Sequence, residues 1–187
     1  MENSPSPAMA SRDMLGWIAL VISVVAVAGS LWLSIGLALK ACPLCLYQRA
    51  FAMSALAVLA VGRLTSVAES LSATLLALPA AVAGTAVSVF HVYLETIGRL
   101  ECPAGLLGIG TAPQQSLSVL ALLSAILLFA ASTGPTRRAS PRLVAATIAM
   151  GLLLAAGAVA SAPPMPPSPA KAYDQPPDVC RPPFRAP

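Results

Sequence analysis

Cys42 and Cys45 stand three residues apart in Cys42-Pro43-Leu44-Cys45, where one long apolar run ends and the next begins. Thiols at this spacing, at the mouth of a helix, close a small reducible disulfide or share one soft metal ion. Both chemistries use the thiolate, which helix N-terminal N–H groups and a nearby cation favour. Pro43 suits the first helical turn, where its missing N–H costs nothing. Cys45 then falls among unsatisfied backbone N–H groups, and a thiolate is expected there. Arg49 follows four residues later, one turn deeper on the same helix face. A guanidinium just below a membrane surface calls for a polar ligand or partner, the alternative being a snorkelling interfacial cation beside structural cysteines. Haem attachment is excluded because Leu46 stands where that motif needs histidine.

Two further cysteines are Cys102, in Arg99-Leu100-Glu101-Cys102-Pro103, and Cys180, in the proline-rich stretch Asp178-Val179-Cys180-Arg181-Pro182. Four cysteines allow two bridges in three connectivities. The segment from Ala162 to Cys180 reaches on the order of 60 Å when extended, so Cys180 can meet Cys102. On an oxidising face a Cys102–Cys180 bridge is favoured over two unpaired thiols or a link between chains. His91 comes near the end of an apolar run, with Tyr93 and Glu95 close by. At a depth similar to that of Arg49 it would share a polar pocket with it, or else serve as a packed helix residue.

These residues need elements to hold them, and the composition says which. The chain has 187 residues, is 57% hydrophobic and only 10% charged, with a mean hydropathy of +0.81. Soluble domains are about a quarter charged, so this is an all-α membrane protein built as a helical bundle. The net charge of +4 is scattered, with no basic stripe for a phosphate backbone, so nucleic acid is not an expected partner. Five runs are long and apolar enough to span the lipid bilayer: 14–39, 46–62, 71–94, 117–132 and 143–161. Small residues recur within them, as in Ala83-Gly84-Thr85 and Ala156-Gly157-Ala158, and these let helices approach closely. The first run is far longer than the ~7–15 apolar residues of a secretory signal, so a retained helix is expected. Residues 1–162 then form the bundle, and residues 163–187 a tail whose prolines favour an extended, semi-rigid arm. The stretch from Gly105 to Gly110 is apolar and glycine-rich, as in a segment lying along the membrane interface.

Loop charges set the orientation. Arg12, Arg63, Arg137, Arg138 and Arg142 fall on the N-terminal side; Lys40, Arg49, Arg99, Lys171, Arg181 and Arg185 fall on the other. The dense loop Arg137–Arg142 favours an inside N-terminus. With five spans, all four cysteines then lie outside, on the oxidising face.

The stretch Cys42-Pro43-Leu44-Cys45-Leu46-Tyr47-Gln48-Arg49 resembles the signature of the disulfide bond formation protein B (DsbB) family of bacterial inner-membrane quinone reductases. The likeness covers four spans, the CxxC after the first, the arginine four residues on, and a cysteine in the second outer loop. It implies that a DsbA-like thioredoxin-fold oxidase delivers electrons to an outer pair, here Cys102 and Cys180. These pass to Cys42–Cys45 by exchange and then to a quinone, ubiquinone or menaquinone. Cys42 would be the exchanging thiol and Cys45 the quinone-facing one, with Arg49 and His91 near the quinone. Family order favours Cys102 as the sulfur that the partner attacks. The family type keeps both outer cysteines in one loop of a four-span bundle, whereas Cys180 follows an extra fifth span. Competing readings are a carrier or transporter of a soft metal ion, which would need relay ligands along the spans, and a vitamin K epoxide reductase-like protein, whose CxxC opens a late span. A structural subunit with inert cysteines is the remaining alternative.

Overall fold

The computed structural model describes residues 7–64, 71–133, 139–164, 166–169 and 171–184. Arg137, Arg138 and Arg185, used above to orient the chain, lie outside these residues. Among the described residues five α-helices follow one another: α1 (Pro7–Ile35), α2 (Pro43–Leu64), α3 (Leu71–Thr96), α4 (Ala112–Ser132) and α5 (Pro141–Ala160). Each carries a segment of 20 residues or more that is apolar enough to cross a membrane, equivalent to about 30 Å of helix. The chain is a multi-pass membrane protein. Its outward faces agree: Val21, Trp32, Leu76, Leu122 and Leu153 are all more than half exposed, as lipid-facing side chains must be.

Helices α1, α2, α4 and α5 start earlier than hydropathy alone predicts, and for the last three the reasons are local. Helix α2 begins at Pro43, not at Leu46, because Pro43 is the first helical residue and the Leu46 N–H already bonds the Cys42 carbonyl at 3.0 Å. Helix α4 begins at Ala112, five residues before the apolar run. Pro113 sits in its first turn, and the Gln114 side chain accepts from the Thr111 N–H at 3.3 Å. Helix α5 starts similarly, with the Ser140 hydroxyl accepting from the Leu143 N–H at 3.2 Å.

Helix α3 lies at the centre, against α2, α4 and α5, and α1 closes the bundle against α2 and α4. The core between them is built from alanines and leucines, among them Ala52, Ala55, Ala77, Leu78, Ala81, Leu120 and Leu123. Thr85 and Ser124 join α3 to α4 through a 2.9 Å hydroxyl contact, a polar link of the kind that holds helices together in lipid. A second cluster, around Cys42, Leu44, Ala83, Val87, Ala155 and Ala158, seats α5 on α3 and brings α5 beside the start of α2.

Gly151 makes that seat. A Cβ there would lie 2.7 Å from the Pro79 carbonyl oxygen and 2.8 Å from Val82 Cβ, whereas one at Gly157 would meet nothing within 4 Å. Gly151→Leu is therefore expected to lift α5 from α3 at a cost of about 1–3 kcal/mol, and Gly157→Leu to cost little. Thermal unfolding of both variants in detergent checks this; equal midpoints would contradict the close approach.

Candidate functional site

The cysteines from three separate segments meet at one end of the bundle. Cys102 and Cys180 form a disulfide. Cys42 and Cys45 are not bonded to each other, and their Sγ atoms lie 2.8 Å apart. The tail holds Cys180 in place through the α1–α2 and α3–α4 loops. Glu101 and Arg181 exchange a pair of backbone hydrogen bonds, of 2.8 and 3.0 Å, beside the disulfide. The Lys40 N–H donates to the Asp178 carbonyl at 2.8 Å, and the Lys40 Nζ pairs with the Asp178 carboxylate at 2.9 Å. That ion pair holds the Asp178 carboxyl below the usual carboxylate range, but it is exposed and adds little stability. The tail is not the extended arm its prolines favour. Arg181 stacks on Tyr173 at 3.5 Å and donates to the Gln175 carbonyl at 2.7 Å, and Tyr173 donates to the Pro182 carbonyl at 3.0 Å. These contacts turn it back on itself.

His91 occupies the junction. It is fully buried, with Nε2 3.8 Å from Cys42 Sγ and 3.6 Å from Cys102 Sγ. Its Nδ1 lies 3.1 Å from the Gln48 amide nitrogen. An amide nitrogen can only donate, so Nδ1 accepts and Nε2 carries the ring proton toward the sulfurs. Sequence reasoning gave Gln48 no role. Its signal was an amide next to Arg49, about one turn after Cys45, in a helix of mostly apolar residues. His91 and Arg49 do not line one cavity: His91, on α3, faces Cys42 and Cys102, whereas Arg49, on α2, points to Ser30 and Ser34 of α1.

The helix N-terminus also serves a different sulfur from the one expected. Cys42 is the residue before the first helical position, and its Sγ accepts from the Cys45 backbone N–H at 3.2 Å. The Cys42 thiol is lowered from 9.0 to about 5. The largest cause is hydrogen bonding with the Cys45 thiol; burial opposes it, and His91 and the Cys45 N–H add to it. The thiolate should thus persist down to about pH 5 in the reduced chain. Thiolate ultraviolet absorbance that depends on Cys42 is expected to disappear on acidification with a midpoint near 5; a midpoint near 9 would contradict this environment.

The two thiols face different spaces. Cys42 and Cys180 line a cavity of about 250 Å³ with Phe90, Leu94, Val159 and Pro164. Cys45 lines another of about 150 Å³ between α1, α2 and α4, with Gln48, Arg49 and Gln115 among apolar side chains. His91 is absent from that lining. The Arg49 guanidinium reaches α1, donating from Nε to Ser30 Oγ at 2.9 Å. From Nη2 it donates to the Ser30 carbonyl at 2.9 Å and to Ser34 Oγ at 2.6 Å. Across the cavity, Gln115 shapes the loop around the 3₁₀ turn Leu106–Gly108. It accepts from the Leu106 N–H at 2.8 Å and donates to the Leu106 and Ile109 carbonyls at 3.0 and 2.7 Å.

A family model described as disulfide bond formation protein DsbB matches residues 12–166. The chain belongs to the DsbB family. Membership makes it a membrane oxidoreductase of disulfide bond formation. The match takes in Cys42, Cys45, Arg49, His91 and Cys102 and stops before Cys180, so this DsbB-family chain takes the second cysteine of its Cys102 bridge from beyond the matched stretch. No curated protein and no solved structure matched the chain.

Proposed function

We propose that this DsbB-family protein reoxidises a DsbA-like thioredoxin-fold oxidase at the periplasmic face of the bacterial inner membrane and delivers the electrons to a membrane quinone, ubiquinone or menaquinone. One observation carries the reading. The disulfide Cys102–Cys180 touches the same histidine as Cys42, while Cys45 turns to a separate cavity beside Arg49.

In the first exchange a thiolate of the partner attacks the outer bridge. Cys180 is half-buried whereas Cys102 is buried, which supports attack at Cys180 with Cys102 as the leaving sulfur. His91 Nε2–H, 3.6 Å away, stabilises the departing thiolate. The partner's second thiol then resolves the mixed disulfide, leaving the partner oxidised and the outer pair reduced by two electrons and two protons. In the second exchange an outer thiolate attacks Cys42 in a Cys42–Cys45 disulfide and expels Cys45; the other outer thiol then attacks the mixed disulfide, so that Cys102–Cys180 re-forms and the inner pair becomes the dithiol. His91 faces both sulfurs and can hold the proton that moves between them.

The second cavity fits a quinone head. Its volume of about 150 Å³ is on the order of that which accommodates a benzene-sized ring, its walls are largely apolar, and Arg49 and Gln48 supply donors at its edge. A quinone there supplies an acceptor for two electrons and two protons. The chain's own part is to present Cys45 to the cavity and to fix Arg49 against the end of α1.

Purified protein in lipid with quinone should oxidise a reduced thioredoxin-fold partner catalytically, with one quinone consumed per partner disulfide formed. No quinone consumption by the metal-free chain, with the partner left reduced, would refute the reading.

A further inference from the structure

We propose that the fully reduced chain holds one Zn²⁺ in a closed tetrahedral site made by Cys42, Cys45, Cys180 and His91 Nε2. The site exists only in the four-thiol state, so its use in the cell rests on the relay proposed above, whereas its chemistry does not.

The ligand atoms of these four residues lie within 4.8 Å of one another. Zinc bonded to thiolate sulfur at about 2.3 Å and to imidazole nitrogen at about 2.0–2.1 Å gives tetrahedral edges of about 3.6 Å for S···N and 3.8 Å for S···S. The Cys42 Sγ to His91 Nε2 edge is already 3.8 Å. The Cys42 to Cys45 edge, now 2.8 Å, opens to this length by rotation of the Cys45 side chain. Cys180 joins once its bridge to Cys102 is reduced, and Cys102 is left outside the set.

A zinc-bound imidazole needs its other nitrogen protonated and held by an acceptor. Gln48 already faces Nδ1 at 3.1 Å, and turning its amide over replaces the nitrogen donor by the carbonyl oxygen. Three thiolates and a neutral imidazole around Zn²⁺ leave one net negative charge. With Cys42 already a thiolate at neutral pH, binding releases the thiol protons of Cys45 and Cys180 and moves no electrons. All four positions are filled by protein, which describes a storage or inhibitory site and not a transport step. Zinc would lock the inner pair reduced.

The test uses the reduced, metal-free full chain in detergent, with no partner or quinone, so its failure is separable from failure of the redox reading. Co²⁺ titration should give one metal per chain with the visible bands of a tetrahedral thiolate site, displaced by one equivalent of Zn²⁺. N-ethylmaleimide should then label Cys102 alone. His91→Gln should weaken Zn²⁺ at least tenfold, and Gln48→Glu, which only accepts from Nδ1–H, should retain it. Octahedral cobalt, protection confined to Cys42 and Cys45, or unchanged affinity in His91→Gln would overturn the site. Where His91→Gln loses helicity, the labelling pattern of the unaltered chain decides alone.

Discussion

Cys180→Ser is expected to reduce oxidation of the thioredoxin-fold partner to the uncatalysed background, while Cys42 and Cys45 still pass electrons from a small dithiol to quinone. The reason is positional. Cys102 has its disulfide partner 78 residues away in sequence, and without it no outer disulfide exists for the partner to attack. The inner pair remains intact, since its geometry depends on α2, His91 and Gln48. The tail keeps its non-covalent anchors, the Glu101–Arg181 backbone pair and Lys40–Asp178, so loss of function would reflect lost redox chemistry. Rates measured side by side with partner and with dithiothreitol check this. Partner oxidation that persists in Cys180→Ser would mean that Cys102–Cys180 is structural.

Arg49→Ala should act at the other end of the relay. Its guanidinium makes three hydrogen bonds to Ser30 and Ser34 and borders the cavity that Cys45 faces. A hydrogen bond to a charged group is worth about 1.5–3 kcal/mol, and each 1.4 kcal/mol is about tenfold in an equilibrium constant. Losing the donor should therefore raise the apparent KM for quinone about 10–100-fold, with exchange between the cysteine pairs preserved. Arg49→Lys keeps the charge but loses the planar fork, so it should restore only part of the affinity. The double change Ser30→Ala, Ser34→Ala leaves the charge and frees its position. An intermediate KM there would separate placement of the guanidinium from its presence. Unaltered quinone kinetics in Arg49→Ala would remove the quinone from this cavity.

Much of this was written locally in the chain. Runs of Leu, Ala and Val mark the five spans because lipid demands length and apolarity and little else. Pro43 and Cys42 mark the start of α2 because the first turn tolerates the one and bonds the other. What depends on how helices rotate against one another was not legible. Ser30 and Ser34 lie four apart on α1, a spacing that puts them on one face, but nothing local says that Arg49 lies opposite. His91 was expected beside the quinone, and it stands between sulfurs because α3 is central and turns that face toward α2 and the outer loop. The N-terminal N–H expected to serve Cys45 is the one Cys45 itself donates to Cys42. The folded-back tail rests on Tyr173, Arg181 and the disulfide, contacts that proline content does not encode.

The central claim is an ordered transfer from an outer pair to an inner pair. It is tested most directly by trapping the oxidised protein with a thioredoxin-fold partner that retains only its attacking cysteine, then mapping the disulfides by mass spectrometry. The expected product has the partner joined to Cys180, Cys102 joined to Cys42, and Cys45 free. A partner joined directly to Cys42 or Cys45, with Cys102–Cys180 intact, would contradict it.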